Sequence, residues 1–313
     1  MTVAQTFSTR TVEDVRRYWN ARPCNIRHSP KPVGTRAYFD EVEARKYFVE
    51  PHIPGFAQFD RWAGKKVLEI GCGIGTDTMG FARAGAQVTA VDLSDASLAV
   101  AKERASVFGL ANRIRFYQAN VERLSEAVPV EEYDLVYSFG VIHHTPHPQD
   151  AVREIRKYMG PQSVFKMMVY HRHSWKVLWI LMKFGKGAFW KLDQLIASHS
   201  EAQTGCPVTY SYSRRTVRDL LQGFTVQKAF VDHIFAYRIP EYRRLEYVRV
   251  WYFALLPKRF FGWLERRFGW HLCVEAMVKP DPGRSIGAGL MFLHDRGEPG
   301  GSPSSDRGHE RSP

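Results

Sequence analysis

The 313 residues carry 44 Lys+Arg against 32 Asp+Glu, a formal charge of +12 at pH 7, with 44% hydrophobic content. That apolar share is ordinary for a globular core, and no uncharged apolar run reaches the roughly 18 residues a spanning helix needs. Cys24, Cys72, Cys206 and Cys273 show no CxxC spacing, which excludes a disulfide framework or a zinc knuckle as the organising device.

The first twenty residues, MTVAQTFSTRTVEDVRRYWN, place Glu13 and Asp14 where a secretory signal needs an apolar stretch. The expectation is a reduced, cytoplasmic protein. Its charge is uneven: residues 1–150 hold 18 basic and 18 acidic side chains, residues 151–280 hold 22 and 9, and residues 281–313 hold 4 and 5. The surplus in the middle segment suits an anionic partner such as a phosphate or carboxylate substrate, a membrane surface or nucleic acid, or else basic solvated helix faces.

In chain order, residues 1–60 read as an N-terminal helical cap, with helical fragments TVEDVRRYWN and FDEVEARKYFV interrupted by five prolines. From residue 61 to 170 strands and helices alternate. KVLEI predicts a buried strand, then a glycine-rich turn and the helix TDTMGFARAG. QVTAVDL is a second strand and DASLAVAKERASVFG a second helix. IRFYQAN, YDLVYSF and SVFKMMVY are further strands, with AVREIRKYMG helical before the last. Such alternation predicts right-handed crossovers and a parallel sheet. Residues 171–280 add FTVQKAFV and HLCVEAMVKP as strands six and seven, each preceded by a long insertion rich in Trp, Phe, Lys and Arg. The run WKVLWILMKFGKGAFWKL, 175–192, reads as helical, either a lid over a pocket or an amphipathic face on a membrane interface. Residues 281–313 are rich in Gly, Pro and Ser and are expected to be disordered.

Two motifs point to a nucleoside ligand. EIGCGIG puts Gly71, Gly73 and Gly75 at the first strand-to-helix turn, where the backbone must bend tightly and come close to a ligand. Asp92 ends the second strand 17 residues after Gly75, and a carboxylate there can bind both ribose hydroxyls. The loop is GxGxG, with no pyrophosphate-sized set of helix-terminal donors, so a nucleoside without a diphosphate is favoured.

Over residues 60–170 the chain resembles the class I S-adenosylmethionine-dependent methyltransferases. The likeness is carried by VLEIGCGIG, VDLS, QANVERL, YDLVYSFGVIHH and SVFKMMVY in order and spacing, and is nearest to the small-molecule branch that includes quinone-type methylases. It implies an α/β, Rossmann-like domain with a seven-stranded, mostly parallel sheet, S-adenosyl-L-methionine as cofactor, and helical insertions after strands 5 and 6. Glu69, Gly71, Gly73 and Gly75 would cradle the cofactor's amino-acid part, and Asp92 its ribose. Leu93, Asn120, Val121 and Ser138 would lie along its nucleoside and methyl ends, Asn120 standing where the family usually has Asp.

In open α/β sheets ligands gather outside the carboxyl ends of the strands. His143 and His144 follow the fourth strand, while Tyr170, His171, His173 and Trp175 follow the fifth. The SFGVIHHTPHP stretch therefore belongs to the acceptor side. His143 and His171 are candidate general bases; His144, Tyr170, His173 and Trp175 are candidate substrate contacts, with His144 also suited to capping the turn. Adjacent histidines point apart, so no metal site is expected. The expected partner is a small-molecule acceptor, anionic or lipophilic. Nucleic acid is disfavoured because no Asp/Asn-Pro-Pro-aromatic phrase follows the fourth strand. Peripheral membrane contact and oligomeric state stay open.

Overall fold

The structure is a computed structural model and describes residue 7, residues 9–200 and residues 205–280. The expected disordered tail, 281–313, lies outside the described residues.

An N-terminal segment holds α1 (Val12–Ala21), α2 (Arg36–Val49) and α3 (His52–Ala57). Thr11 and Asp14 start α1 with reciprocal bonds, each side chain accepting from the other's backbone N–H, which satisfies two donors that a helix start leaves unpaired. Then come β1 (Lys66–Ile70), α4 (Thr76–Arg83), β2 (Gln87–Asp92), α5 (Asp95–Val107), β3 (Ile114–Gln118), β4 (Tyr133–Phe139), α6 (Pro148–Arg156) and β5 (Met159–Tyr170). The insertion after β5 holds α7 (Trp175–Lys183), α8 (Leu192–His199) and α9 (Thr216–Leu220). After β6 (Phe224–Asp232) follow α10 (Ile239–Arg243), α11 (Trp251–Ala254), α12 (Lys258–Phe268) and β7 (His271–Val278).

The sheet order is β3-β2-β1-β4-β5-β7-β6, with β7 antiparallel to both of its neighbours. The seven-stranded, mostly parallel sheet with insertions after strands five and six is the one the sequence predicts. Alternate residues divide between its faces: Val67, Leu135 and Tyr137 pack in one apolar cluster, Leu68, Ile70 and Val136 in the other. The order reverses between β1 and β4, so the ligand crevice opens there. Because β7 runs backwards, its first residue, His271, sits at the same sheet edge as the last residues of β1, β4, β5 and β6.

Two expectations are revised. The 175–192 run is not one helix: Lys186 and Gly187 take φ of 46° and 86°, a left-handed turn that no helix continues through. β5 begins at Met159, inside the stretch read as helix, because Met159 pairs with Tyr133 before the register shifts to Leu135 and Val164. No helix among the described residues is long and apolar enough to cross a membrane.

The N-terminal segment is fastened to the sheet by a buried charge pair. Lys46 Nζ on α2 lies 2.7 Å from Asp77 Oδ1 on α4, with side chains only 12% and 3% exposed. Tyr47 also donates to Oδ1 and Tyr137 to Oδ2, both at 3.0 Å. Burial works to lower the Lys46 pKa, but the charge and hydrogen bond of Asp77 leave it raised. Lys46→Met strands the carboxylate and should cost about 3–5 kcal/mol of stability, read as a lower urea midpoint; adding Asp77→Asn should recover most of that loss.

Candidate active site

A cavity of about 950 Å³ opens at the carboxyl edge of the sheet, near the top of the roughly 300–1,000 Å³ span of small-molecule pockets. One half is built by the turn after β1. Gly71 N–H and Cys72 N–H both donate to Val91 O, at 2.7 and 3.0 Å, tying the loop to β2. Gly71 has φ of 75°, and a Cβ there would meet Val141 Cγ2 at 2.1 Å, so only glycine fits. Gly73, with φ of 54°, is different: a Cβ on it would meet no atom within 4 Å, because it faces the cavity. Gly75 turns into α4 with its α-carbon side against Ala101.

Asp92 faces the same space. Its Oδ2 accepts from Gly73 N–H and its Oδ1 from Ser94 N–H, both at 2.8 Å. Its pKa is raised by desolvation, against the lowering pull of those backbone donors. Each oxygen keeps a second lone pair for a ligand hydroxyl. Leu93, Asn120 and Val121 line the wall beyond it. Asn120 Oδ1, the atom suited to an adenine amine, also accepts from Glu122 N–H at 3.0 Å. Cys72 lines the cavity too, its thiol pushed well above its ordinary pKa by burial and by the charges of Asp92 and Glu69.

Glu69 and Ser138 lie behind this surface rather than on it. Glu69 is buried, receives Thr78 Oγ1–H at 2.5 Å, and is pushed up to about 8 by burial and by Asp77. Ser138 is wholly buried in β4, its Oγ without a hydrogen-bond partner.

In the other half of the cavity the structure brings together only some of the six side chains expected there. His144 and Tyr170 reach the wall, as does Trp175 from α7. His143 is fully buried behind them, its ring 4.1 Å from that of His144 and 3.8 Å from that of Tyr170, and neither ring nitrogen has a partner. His171 turns away from the cavity: its Nδ1 lies 3.1 Å from Gly269 O, and burial lowers its pKa to about 4. His173 is exposed, edge-on to His171. The wall is completed instead by residues from distant parts of the chain, among them Phe139, Trp270, His271, His233 and Glu50. The two insertions supply Trp175, Trp179, Tyr252 and Phe253 to it. One sign of His233 exists in the backbone alone: its φ of 69° is left-handed in a non-glycine residue, a strain that gathers at functional sites.

A glycine-turned first loop, an acid closing β2 and a cavity at the switch point of this strand order are the features of a Rossmann-like fold of the class I methyltransferase type. Residues 67–162 match the family model described as a methyltransferase domain. A ubiquinone biosynthesis O-methyltransferase of Nitrosospira multiformis is 38% identical over 101 residues, 32% of this chain and 41% of that one. The chain thus aligns with less than half the length of such relatives. Among solved structures, geranyl diphosphate C-methyltransferase from Streptomyces coelicolor A3(2) superposes with a TM-score of 0.55 at 16% identity, covering 88% of this chain and 99% of that one. Magnesium protoporphyrin IX methyltransferase from Synechocystis PCC 6803 gives 0.52 at 16% identity, over 86% and 100%.

The residues present fit the cofactor of this class. The space before Gly73 admits it, and the remaining lone pairs of Asp92 suit a ribose. A Cβ at Gly73 meets no protein atom, so Gly73→Ala, which adds less strain at this positive φ than a branched residue, should abolish or strongly weaken S-adenosylmethionine binding. Asp92→Ala should weaken it by roughly 1.5–3 kcal/mol for each charge-assisted hydrogen bond lost. Calorimetric titration with both variants checks this; unchanged affinity would refute the placement.

Acid should unfold the protein for a stated reason. Burial lowers His28 to about 3 and His171 to about 4, against roughly 6.5 in an unfolded chain. Below 6.5 the unfolded state therefore binds the extra protons. The stability is complete above that pH and declines as pH falls, each histidine adding up to about 1.4 kcal/mol per unit. Urea midpoints at pH 7.0 and 5.0 should show the fall, and His171→Asn should make it shallower.

Proposed function

We propose that the chain transfers a methyl group from S-adenosylmethionine to an apolar, ring-bearing small molecule held in the aromatic half of the cavity. One observation carries this reading: the glycine loop and Asp92 share a single cavity with walls of Phe139, Tyr170, Trp270, Trp175 and Tyr252. When bound, the cofactor supplies a methyl group on a positively charged sulfur, which is left as a neutral thioether once an acceptor lone pair takes that carbon.

The chain's own part is orientation and exclusion of water. Tyr170 and Trp270 stack with centroids 4.0 Å apart, forming a flat wall at the end of β5 and the start of β7. Lys176 Nζ sits 4.7 Å over Trp270 and donates to Ser200 O at 2.6 Å, so one cation stiffens that wall. Trp175 meets Phe253 edge-on at 5.7 Å, joining the two insertions in a lid. His143 and His171 do not reach the cavity, whereas His144, His233 and His271 are among the imidazoles on its wall. Burial lowers His233 to about 3 and His271 well below its ordinary value, which favours uncharged imidazoles on that wall.

The basic surplus is partly consumed inside the fold, as with Lys166, 1% exposed and 3.4 Å from Glu275. That weakens the case for a nucleic-acid substrate. Incubation with methyl-labelled cofactor and separate pools of lipophilic phenols, polar metabolites and RNA distinguishes the two. Label is expected in the lipophilic pool; label in RNA alone would overturn the proposal.

A further inference from the structure

The acceptor half of the cavity also contains a donor set that methyl transfer does not require. Glu50 closes α2, His233 follows β6 and His271 opens β7, and one donor atom of each lies within 4.8 Å of the other two. All three line the cavity. His271 Nε2 is 3.6 Å from Glu50 Oε1, while its Nδ1 is 3.0 Å from His52 Nε2.

These distances separate two kinds of contact. The His52–His271 separation is a hydrogen bond. The His271–Glu50 separation is too long for one, since N–H···O bonds fall at about 2.7–3.2 Å. It does match two ligands of one ion: Zn–N and Zn–O lengths of about 2.0–2.1 Å in a tetrahedron put neighbouring donors roughly 3.4 Å apart. If Nδ1–H of His271 donates to His52, Nε2 presents a bare lone pair towards a carboxylate, and two acceptors face each other with room for a cation between them. An outer partner that fixes the tautomer of a ligating histidine in this way is a recurrent feature of metal sites.

The backbone around His233 is held in an uncommon conformation. Its left-handed φ of 69° is kept by Trp270 N–H donating to His233 O and His233 N–H donating to Asp232 Oδ1, both at 2.7 Å. The His233 and His271 rings are brought to 4.6 Å between centroids.

We propose that Glu50, His233 and His271 bind a divalent transition-metal ion, Zn²⁺ by the nature of the donors, with its fourth position turned into the acceptor half of the cavity. Two neutral imidazoles and one carboxylate leave the bound ion a net charge of +1, suited to an acceptor oxygen in its anionic form. That last role rests on the methyltransferase reading; the metal site itself does not.

The test uses the full chain, stripped with chelator and titrated with Co²⁺ as a visible probe, then with Zn²⁺ in competition. One ion per chain should bind, with the absorption of a low-coordinate Co²⁺ site displaced by Zn²⁺. Glu50→Gln and His271→Asn should each weaken binding by more than tenfold, and His52→Asn by about 10–100-fold, while His147→Asn, on an exposed histidine, should change nothing. Circular dichroism identifies any variant that fails to fold, and the remaining ones decide. No stoichiometric binding by the parent chain, or equal binding by folded Glu50→Gln and His271→Asn, overturns the site. S-adenosylmethionine affinity measured on the same samples separates the readings: cofactor binding without Co²⁺ binding removes the metal alone, and the reverse removes the methyltransferase reading alone.

Discussion

A carboxylate taken out of water must be answered by donors, and Asp77 is answered by three. Lys46, Tyr47 and Tyr137 come from α2 and β4, while Asp77 itself sits in the first turn of α4, immediately after the glycine loop. Satisfying that one group therefore sets the N-terminal segment, the sheet and the loop in fixed relation. Breaking it would leave a buried charge, which costs far more than an exposed ion pair gains. The consequence reaches the cavity directly. Glu50 lies one helical turn beyond Lys46, so the pair that anchors α2 also delivers the carboxylate that faces His271. Glu69, beside the same cluster, carries the electrostatic burden: with Asp77 close and water absent, its proton is held more tightly.

Everything with chemical capacity collects at one sheet edge, and the reversed strand is what makes this so. β7 brings the start of its strand, His271, to the level where β5 and β6 end, and Trp270 N–H closes onto His233 O across the gap. A parallel seventh strand would have placed His271 at the opposite edge. The long insertions then have a defined task, since they cover the one edge where backbone pairing stops and side chains of five strands meet.

The sheet and the glycine-loop half of the cavity were legible in the sequence because their signals are local. Short apolar runs bounded by turns mark the strands, as with the continuously buried β1 and β2, and GxGxG followed by a strand-ending acid marks a nucleoside site. The acceptor half was legible only in part. Tyr170 and His171 are neighbours, and alternation sends one to the cavity and the other to Gly269; the sequence places both at the strand end but does not say which points inward. The same holds for His143 and His144. Glu50, His52, His233 and His271 carried no motif, because their proximity exists only after α2, β6 and β7 have packed. The break at Lys186 and Gly187 was missed for a simpler reason: an apolar period continues on both sides of the FGKG turn.

Cys72 gives the glycine loop a property that matters for chemical selectivity. A sulfur nucleophile stands on the wall of a cavity built for an electrophilic methyl donor, where alkylation of the protein itself would end turnover. Only the thiolate attacks at a useful rate, and at this position burial first, then the neighbouring carboxyl groups, Asp92 foremost, oppose its formation. Asp92, the acid that closes β2, thus also disfavours ionisation of the neighbouring sulfur, so that the loop can be chemically soft without becoming its own substrate.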